Sequence, residues 1–88
     1  MAAKTPDSIY RESAGSLTMH IAVFSTNDMD DGDTWASGIA EVVGYWANGT
    51  DDPTQGKEGI DVSLSGTTFT FNTGEANRTG ILYVLSRT

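Results

Sequence analysis

The stretch Ile-Asp-Val-Ser-Leu-Ser-Gly-Thr-Thr-Phe-Thr-Phe (60–71) decides the fold class of this chain. Apolar and polar residues alternate on both sides of Ser65-Gly66, with aliphatic residues before this pair and aromatic residues after it. A period of two is typical of strands with one buried face, and a Ser-Gly pair between two such runs suits a two-residue hairpin turn. We therefore predict a β-hairpin with Ser65-Gly66 as its turn and residue 62 facing residue 69. In that register all the apolar side chains lie on one face.

A second strand is predicted over residues 17–24. One of its faces is wholly apolar and the other is mixed, which is typical of a strand with one side in a core. We expect the apolar face to be the buried one. Its members are Leu17, Met19, Ile21 and Val23.

The remaining patterns also favour strands over helices. Residues 25–33 are rich in Asn, Asp and Gly and predict a loop, with a short strand at 34–37. Residues 39–47 are rich in β-branched and aromatic residues, and Gly38 and Gly44 weaken the competing helix over 36–47, so a strand is favoured. Residues 80–87 form a nearly continuous apolar run, which predicts a strand buried on both sides. The sequence therefore predicts an all-β fold, a small antiparallel β-sandwich or partly open barrel of five to seven strands.

The first residues differ from the rest. Residues 1–16 are polar and show no sustained period, so we expect an extended N-terminal arm there, and a single β-sandwich domain over 17–88. A weak helical turn at 8–13 is the alternative. Ile9 and Tyr10 would anchor the arm on a neighbouring subunit.

Composition narrows the classes of partner. The net charge of −7 disfavours nucleic acid and anionic membranes, and no apolar run is long enough for a membrane span. There is no cysteine, which removes disulfides and thiolate metal ligands. A domain of 88 residues has a marginal core. We therefore expect it to associate with copies of itself or with a larger surface, and to need no cofactor.

The acidic loop is the best candidate for a metal site. Its carboxylates could supply oxygen ligands to calcium, but the spacing fails the EF-hand pattern at two ligand positions, so a solvated turn is the main expectation. The candidate ligands are Asp28, Asp30, Asp31 and Asp33.

No catalytic constellation is found, and the chain is predicted not to be an enzyme. His20 is the only histidine and lies within a strand. No serine occupies a nucleophile elbow, and no paired carboxylates or glycine-rich phosphate loop are evident.

Aromatic residues are the candidate interface. Trp35, Tyr45 and Trp46 would pack in the core, bind a partner protein or form a platform for a sugar ring. Together with Ile9 and Tyr10 they make the predicted contact set.

The order of these signals resembles a class of small virion proteins of tailed phages. The matching stretches are Asp-Gly-Asp-Thr-Trp-Ala-Ser-Gly-Ile (31–39), residues 60–71, and Gly-Ile-Leu-Tyr-Val-Leu (80–85). Several such proteins decorate or cement capsids as β-sandwiches. The resemblance covers residues 17–88 and carries no catalytic motif.

The resemblance implies a decoration or cement protein on the outer surface of a phage head. It would be made in the host cytoplasm, bind the major capsid protein and associate as a trimer or dimer on the lattice. Two alternatives stay open: a tail or fibre module with glycan affinity, and a calcium-stabilised β-sandwich binding domain.

Overall fold

A computed structural model describes residues 2–50, 59–74 and 78–87. These residues contain seven strands and no helix. The strand order is β1-β2-β7-β4-β5-β6-β3, and each neighbouring pair is antiparallel. The predicted all-β class is confirmed: the sheet curls into a half-barrel, consistent with a small sandwich or partly open barrel. The strands are β1 Ser8–Ala14, β2 Leu17–Met29, β3 Thr34–Ala36, β4 Val42–Gly49, β5 Gly59–Ser65, β6 Thr68–Asn72 and β7 Arg78–Ser86.

The curl divides the sheet into a four-stranded half (β1, β2, β7, β4) and a three-stranded half (β5, β6, β3). Among the described residues, two ladder pairs join them, Ala47 with Ile60 and Asn48 with Gly59. The concave side of both halves holds the core, because each strand presents alternate residues to that side. The buried apolar residues are Ala22, Phe24, Met29, Trp35, Ile60, Phe69, Phe71, Leu82 and Val84.

The predicted arm is in large part a strand of the sheet. Residues 8–14 form β1 and pair with β2 along its first half. Ahead of β1, Lys4 donates its backbone N–H to the Thr34 carbonyl at 2.7 Å, and Thr34 donates to the Ala2 carbonyl at 2.9 Å. The helical alternative for 8–13 is wrong. One bent segment, residues 2–14, therefore reaches both β3 and β2.

The hairpin predicted at 60–71 is present, but its turn lies one residue later. Leu64 pairs with Phe69 and Val62 with Phe71, so Gly66 and Thr67 form the turn. Gly66 has a φ of 63°, and glycine at the first of two turn residues suits the type II′ turn. Relative to the prediction the pairing shifts by two residues. A shift of two leaves every side chain on its predicted face.

The buried face of β2 is the opposite of the predicted one. His20, Ala22 and Phe24 are buried, whereas the aliphatic side chains at 17, 19, 21 and 23 are only half-buried. The strand also continues to Met29, through most of the predicted loop 25–33. The aliphatic face of β2 is thus on the convex side of the sheet.

A β-bulge changes the faces of β4. Val42 pairs with Ser86 and Gly44 with Leu85, so Val43 is an extra residue on β4. As a result Val42 and Tyr45 both pack against the core, although simple alternation predicts opposite faces. The strand begins at Val42 rather than at residue 39.

β7 is central in the four-stranded half, between β2 and β4. Its residues alternate between buried and half-buried, so the prediction of burial on both sides holds only for the concave side.

Candidate interaction surface

A row of large side chains crosses the convex side of the four-stranded half. Tyr10 on β1 pairs with Ile21 on β2, Ile21 pairs with Tyr83 on β7, and Tyr83 pairs with Trp46 on β4. Residues directly opposite each other in antiparallel strands point to the same face of a sheet. The four side chains therefore form one continuous row, three of them aromatic.

Apolar residues continue on both sides of this row. Val23 pairs with Ile81 on one side, and Met19 pairs with Leu85 on the other. We call the three rows together the outer face. The two further rows are completed by Ser8, Asn48, Glu12 and Gly44.

The outer face is apolar at its centre and open at its edges. Its residues on β2 and β7 are half-buried, because neighbouring side chains on the same face shield them. At the edges, Tyr10 is 57% exposed and Trp46 is 43% exposed. Glu12 is the one charged residue in the three rows. A patch depleted of charge and rich in aromatic residues resembles the centre of a protein–protein interface.

Two of the rings are already ordered against each other. The rings of Trp46 and Tyr83 stack with their centroids 4.9 Å apart and their planes 13° apart. A ring held in this way loses little conformational freedom when a partner covers it. The outer face is therefore partly organised before any partner arrives.

The predicted contact set is divided by the fold. Tyr10 and Trp46 both lie on the outer face, at its opposite edges. Ile9 is 50% exposed, but it pairs with Ala22 and so points to the concave side.

The remaining two aromatic residues of that set face inward. Trp35 is 6% exposed and stacks on Phe69 in the core, so it does not belong to a surface patch. Tyr45 packs edge-on against the same Phe69 ring. The three-ring sugar platform is therefore not assembled.

Ile21 and Tyr83 complete the central row and were missed as surface residues. Both lie in strands whose apolar residues were predicted to be buried. The opposite face of β2 is only partly polar, since it includes Ala22 and Phe24. This was the one sign in the sequence that the opposite face could be the buried one.

One carboxylate of the acidic loop stabilises the fold. Asp33 is 2% exposed, and its carboxylate accepts the N–H of Ala2 at 2.9 Å and that of Asp30 at 3.2 Å. The ammonium group of Lys4 lies 3.7 Å from the same carboxylate. Asp33 thus fastens the N-terminal segment to β3.

Asp30 and Asp31, the other acidic candidates with described side chains, form contacts within the fold. Asp31 accepts the N–H of Gly74 at 3.0 Å and so connects two turns. Asp30 accepts the N–H of Asp33 through its backbone carbonyl. The side chain of Asp28 lies outside the described residues. Within the described ranges no group of three or more His, Cys, Asp or Glu residues is placed to hold a metal ion.

His20 lies at the polar end of the concave side. It is 5% exposed, and its Nε2 is 2.9 Å from the hydroxyl of Ser86. Because the Ser86 side chain is fully buried, its hydroxyl is not placed to meet a substrate. The pair instead satisfies two polar groups within the sheet.

The described residues line shallow cavities at two places on the surface. One, of about 280 Å³, lies at the mouth of the half-barrel and is lined by Arg11, His20, Ser37, Gly38, Ile39 and Ala40. The other, of about 240 Å³, lies where β4 and β5 diverge and is lined by Tyr45, Trp46, Ala47, Ile60, Asp61 and Val62.

Comparison of the chain with protein families, with curated proteins and with solved structures finds no match. Among the described residues there is no helix long and apolar enough to cross a membrane.

Proposed function

We propose that this chain is a decoration or cement protein on the outer surface of a tailed-phage head. It binds the major capsid protein through the outer face and stabilises the shell. The observation that carries this proposal is the row Tyr10–Ile21–Tyr83–Trp46, an ordered apolar surface that no other part of the described chain covers.

The size of the outer face supports a specific contact. Four strands spaced about 4.8 Å apart make a surface about 20 Å wide, which suits an interface at the lower end of the standard size. Many copies on a lattice would each need only such a modest contact, since neighbouring sites act together.

The charge distribution supports an exterior location. The chain carries a net charge of −7, and the three rows of the outer face include a single acid, Glu12. Acidic side chains elsewhere would repel packaged DNA and other acidic surfaces. The matching site on the capsid protein would therefore be apolar at its centre with a basic rim.

Docking would also stabilise the small domain. A partner that binds only the folded state adds RT ln(1 + [L]/Kd) to the free energy of unfolding. A trimer or dimer of this chain on the lattice would act in the same way, since it covers further surface.

The experiment is co-sedimentation of the purified protein with undecorated capsids. We expect the unmodified chain to sediment with capsids. Trp46→Ala should weaken binding about tenfold or more, because tryptophan is among the residue types that most often carry the binding energy of an interface. Val43→Ala is the matched control: Val43 is 45% exposed on the same strand but is not in the three rows, so binding should change less than about threefold.

Absence of co-sedimentation across a range of salt concentrations would reject the capsid role. A tail or fibre module with glycan affinity predicts a different result, a glycan-array signal that disappears in Trp46→Ala without capsid binding.

A further inference from the structure

The positively charged side chain of Arg11 lies at the mouth of the half-barrel, in a chain whose net charge is −7. Arg11 lies on the concave side of β1, directly opposite His20 on β2. Both side chains line the cavity of about 280 Å³, whose other wall is residues 37–40, the link between β3 and β4. This cavity is on the opposite side of the sheet from the outer face.

Arg11 forms no ion pair with any carboxylate of the described residues. Among the described residues the one ion pair is Lys4 with Asp33, at the other end of the half-barrel. A guanidinium group presents a planar fork of N–H donors that fits both oxygens of a carboxylate. Its charge at this mouth is therefore available to a ligand.

The opposite wall supplies backbone donors. Gly38 has a φ of 73°, and the nearby Glu41 has a φ of 54°, a left-handed conformation that non-glycine residues rarely adopt. Backbone segments that enter the left-handed region form concave sites for anions. In the described part of the chain the amides of Gly38 and Ala40 donate to no internal acceptor.

The wall and floor are held in place. Ser37 donates its hydroxyl to the Thr67 carbonyl at 2.7 Å and accepts the N–H of Ile39 at 3.1 Å. On the floor, His20 is fixed by its bond to Ser86 at 2.9 Å. The cavity therefore has a defined shape before a ligand binds.

We propose that this cavity binds a carboxylate group, with the guanidinium of Arg11 on one side and the backbone amides of Gly38 and Ala40 on the other. A single cation suits a monoanion, whereas a phosphate dianion would add charge to a chain that is already strongly acidic. The carboxylate belongs either to a small organic acid or to the end of a peptide chain.

The experiment is titration of the full-length, ¹⁵N-labelled chain, followed by NMR at constant ionic strength. Sodium acetate is compared with sodium chloride, and a short peptide with a free C-terminus is compared with its amidated form. We expect saturable shifts of the Gly38, Ile39 and Ala40 amides with acetate, the free-acid peptide or both, and none with chloride or the amidated peptide. Saturation by acetate identifies a small acid, and saturation by the free-acid peptide alone identifies a chain end.

Three variants separate a site from a general charge effect. Arg11→Gln should weaken binding about tenfold, because it removes the charge-assisted hydrogen bonds. Arg87→Gln removes the same charge from a residue that does not line the cavity, and Trp46→Ala alters the other side of the sheet. The dissociation constant of both variants for the carboxylate ligand should stay within about twofold of that of the unmodified chain. Non-saturable shifts, or equal weakening by Arg11→Gln and Arg87→Gln, would overturn the proposal.

Discussion

Trp46 and Tyr83 stack nearly parallel across β4 and β7, 4.9 Å between centroids, on the convex side of the sheet and outside the core. The other tryptophan, Trp35, lies inside, against Phe24 and Phe69. The chain thus uses one tryptophan to fill its interior and presents the other at its surface.

This difference predicts two distinct fluorescence signals. In Trp46→Phe the remaining Trp35 should emit at shorter wavelength and resist acrylamide, because it is 6% exposed. In Trp35→Phe the remaining Trp46 should emit at longer wavelength and be quenched severalfold more efficiently. Far-UV circular dichroism checks that both variants keep the strand content. Equal quenching of the two variants would contradict the placement of the rings.

Two glycines predict opposite effects of the same substitution. A Cβ at Gly80 would meet the Asn48 carbonyl oxygen at 2.7 Å, so we expect Gly80→Ala to cost about 2 kcal/mol or more. A Cβ at Gly44 would meet nothing within 4 Å, so Gly44→Ala should change stability by less than about 1 kcal/mol, towards greater stability. Urea denaturation of both variants measures the difference. A similar loss in both would show that the close approach at Gly80 is not rigid.

The buried carboxylate of Asp33 predicts a strong site dependence for Asp→Asn changes. Asp33→Asn keeps one acceptor oxygen but replaces the other with an NH₂ group, which cannot accept a hydrogen bond. We therefore expect the free energy of unfolding to fall by about 1–3 kcal/mol. Asp61→Asn makes the same chemical change at an exposed position on β5 and should cost less than about 0.5 kcal/mol. The comparison is made by urea denaturation. Equal losses would mean that Asp33 does not fasten the N-terminal segment.

The acidic loop also predicts how the protein responds to metal ions. Since Asp31 and Asp33 are engaged with backbone amides, calcium gains no ready-made set of ligands from them. We expect millimolar calcium and millimolar magnesium to shift the Tm equally and slightly. A rise in Tm with calcium alone, measured by calorimetry, would restore the calcium-stabilised alternative.

The sequence predicted the fold class and the 60–71 hairpin because both depend on a period of two. The exact turn was not recoverable, since a register shift of two residues keeps the same faces. Phe69 and Phe71 are buried whether Val62 pairs with Phe69, as predicted, or with Phe71, as found.

The faces of β2 could not be predicted for a different reason. The rule that apolar faces turn inward fails where a protein keeps an apolar surface outside. The aliphatic face of β2, with Ile21 at its centre, is such a surface. The mixed face buries His20 because Ser86 on the neighbouring strand satisfies it, a pairing between residues far apart in sequence.

The N-terminal segment was underestimated because β1 is exposed along nearly its whole length. An exposed edge strand needs no alternation of apolar and polar residues, so its sequence carries no period of two from which a strand could be predicted. The role of Asp33 was hidden for a related reason: its partners Ala2 and Lys4 lie about thirty residues away.

The position of β7 bears on when this protein can fold. It is the last of the seven strands to leave the ribosome, yet it joins β2 to β4 in the middle of the four-stranded half. Until β7 is synthesised, no strand connects β2 to β4. The assembly of that half therefore depends on contacts between distant parts of the chain. Folding of this half is therefore expected only once β7 has been synthesised, and a stop codon placed just before Arg78 should give an unfolded product.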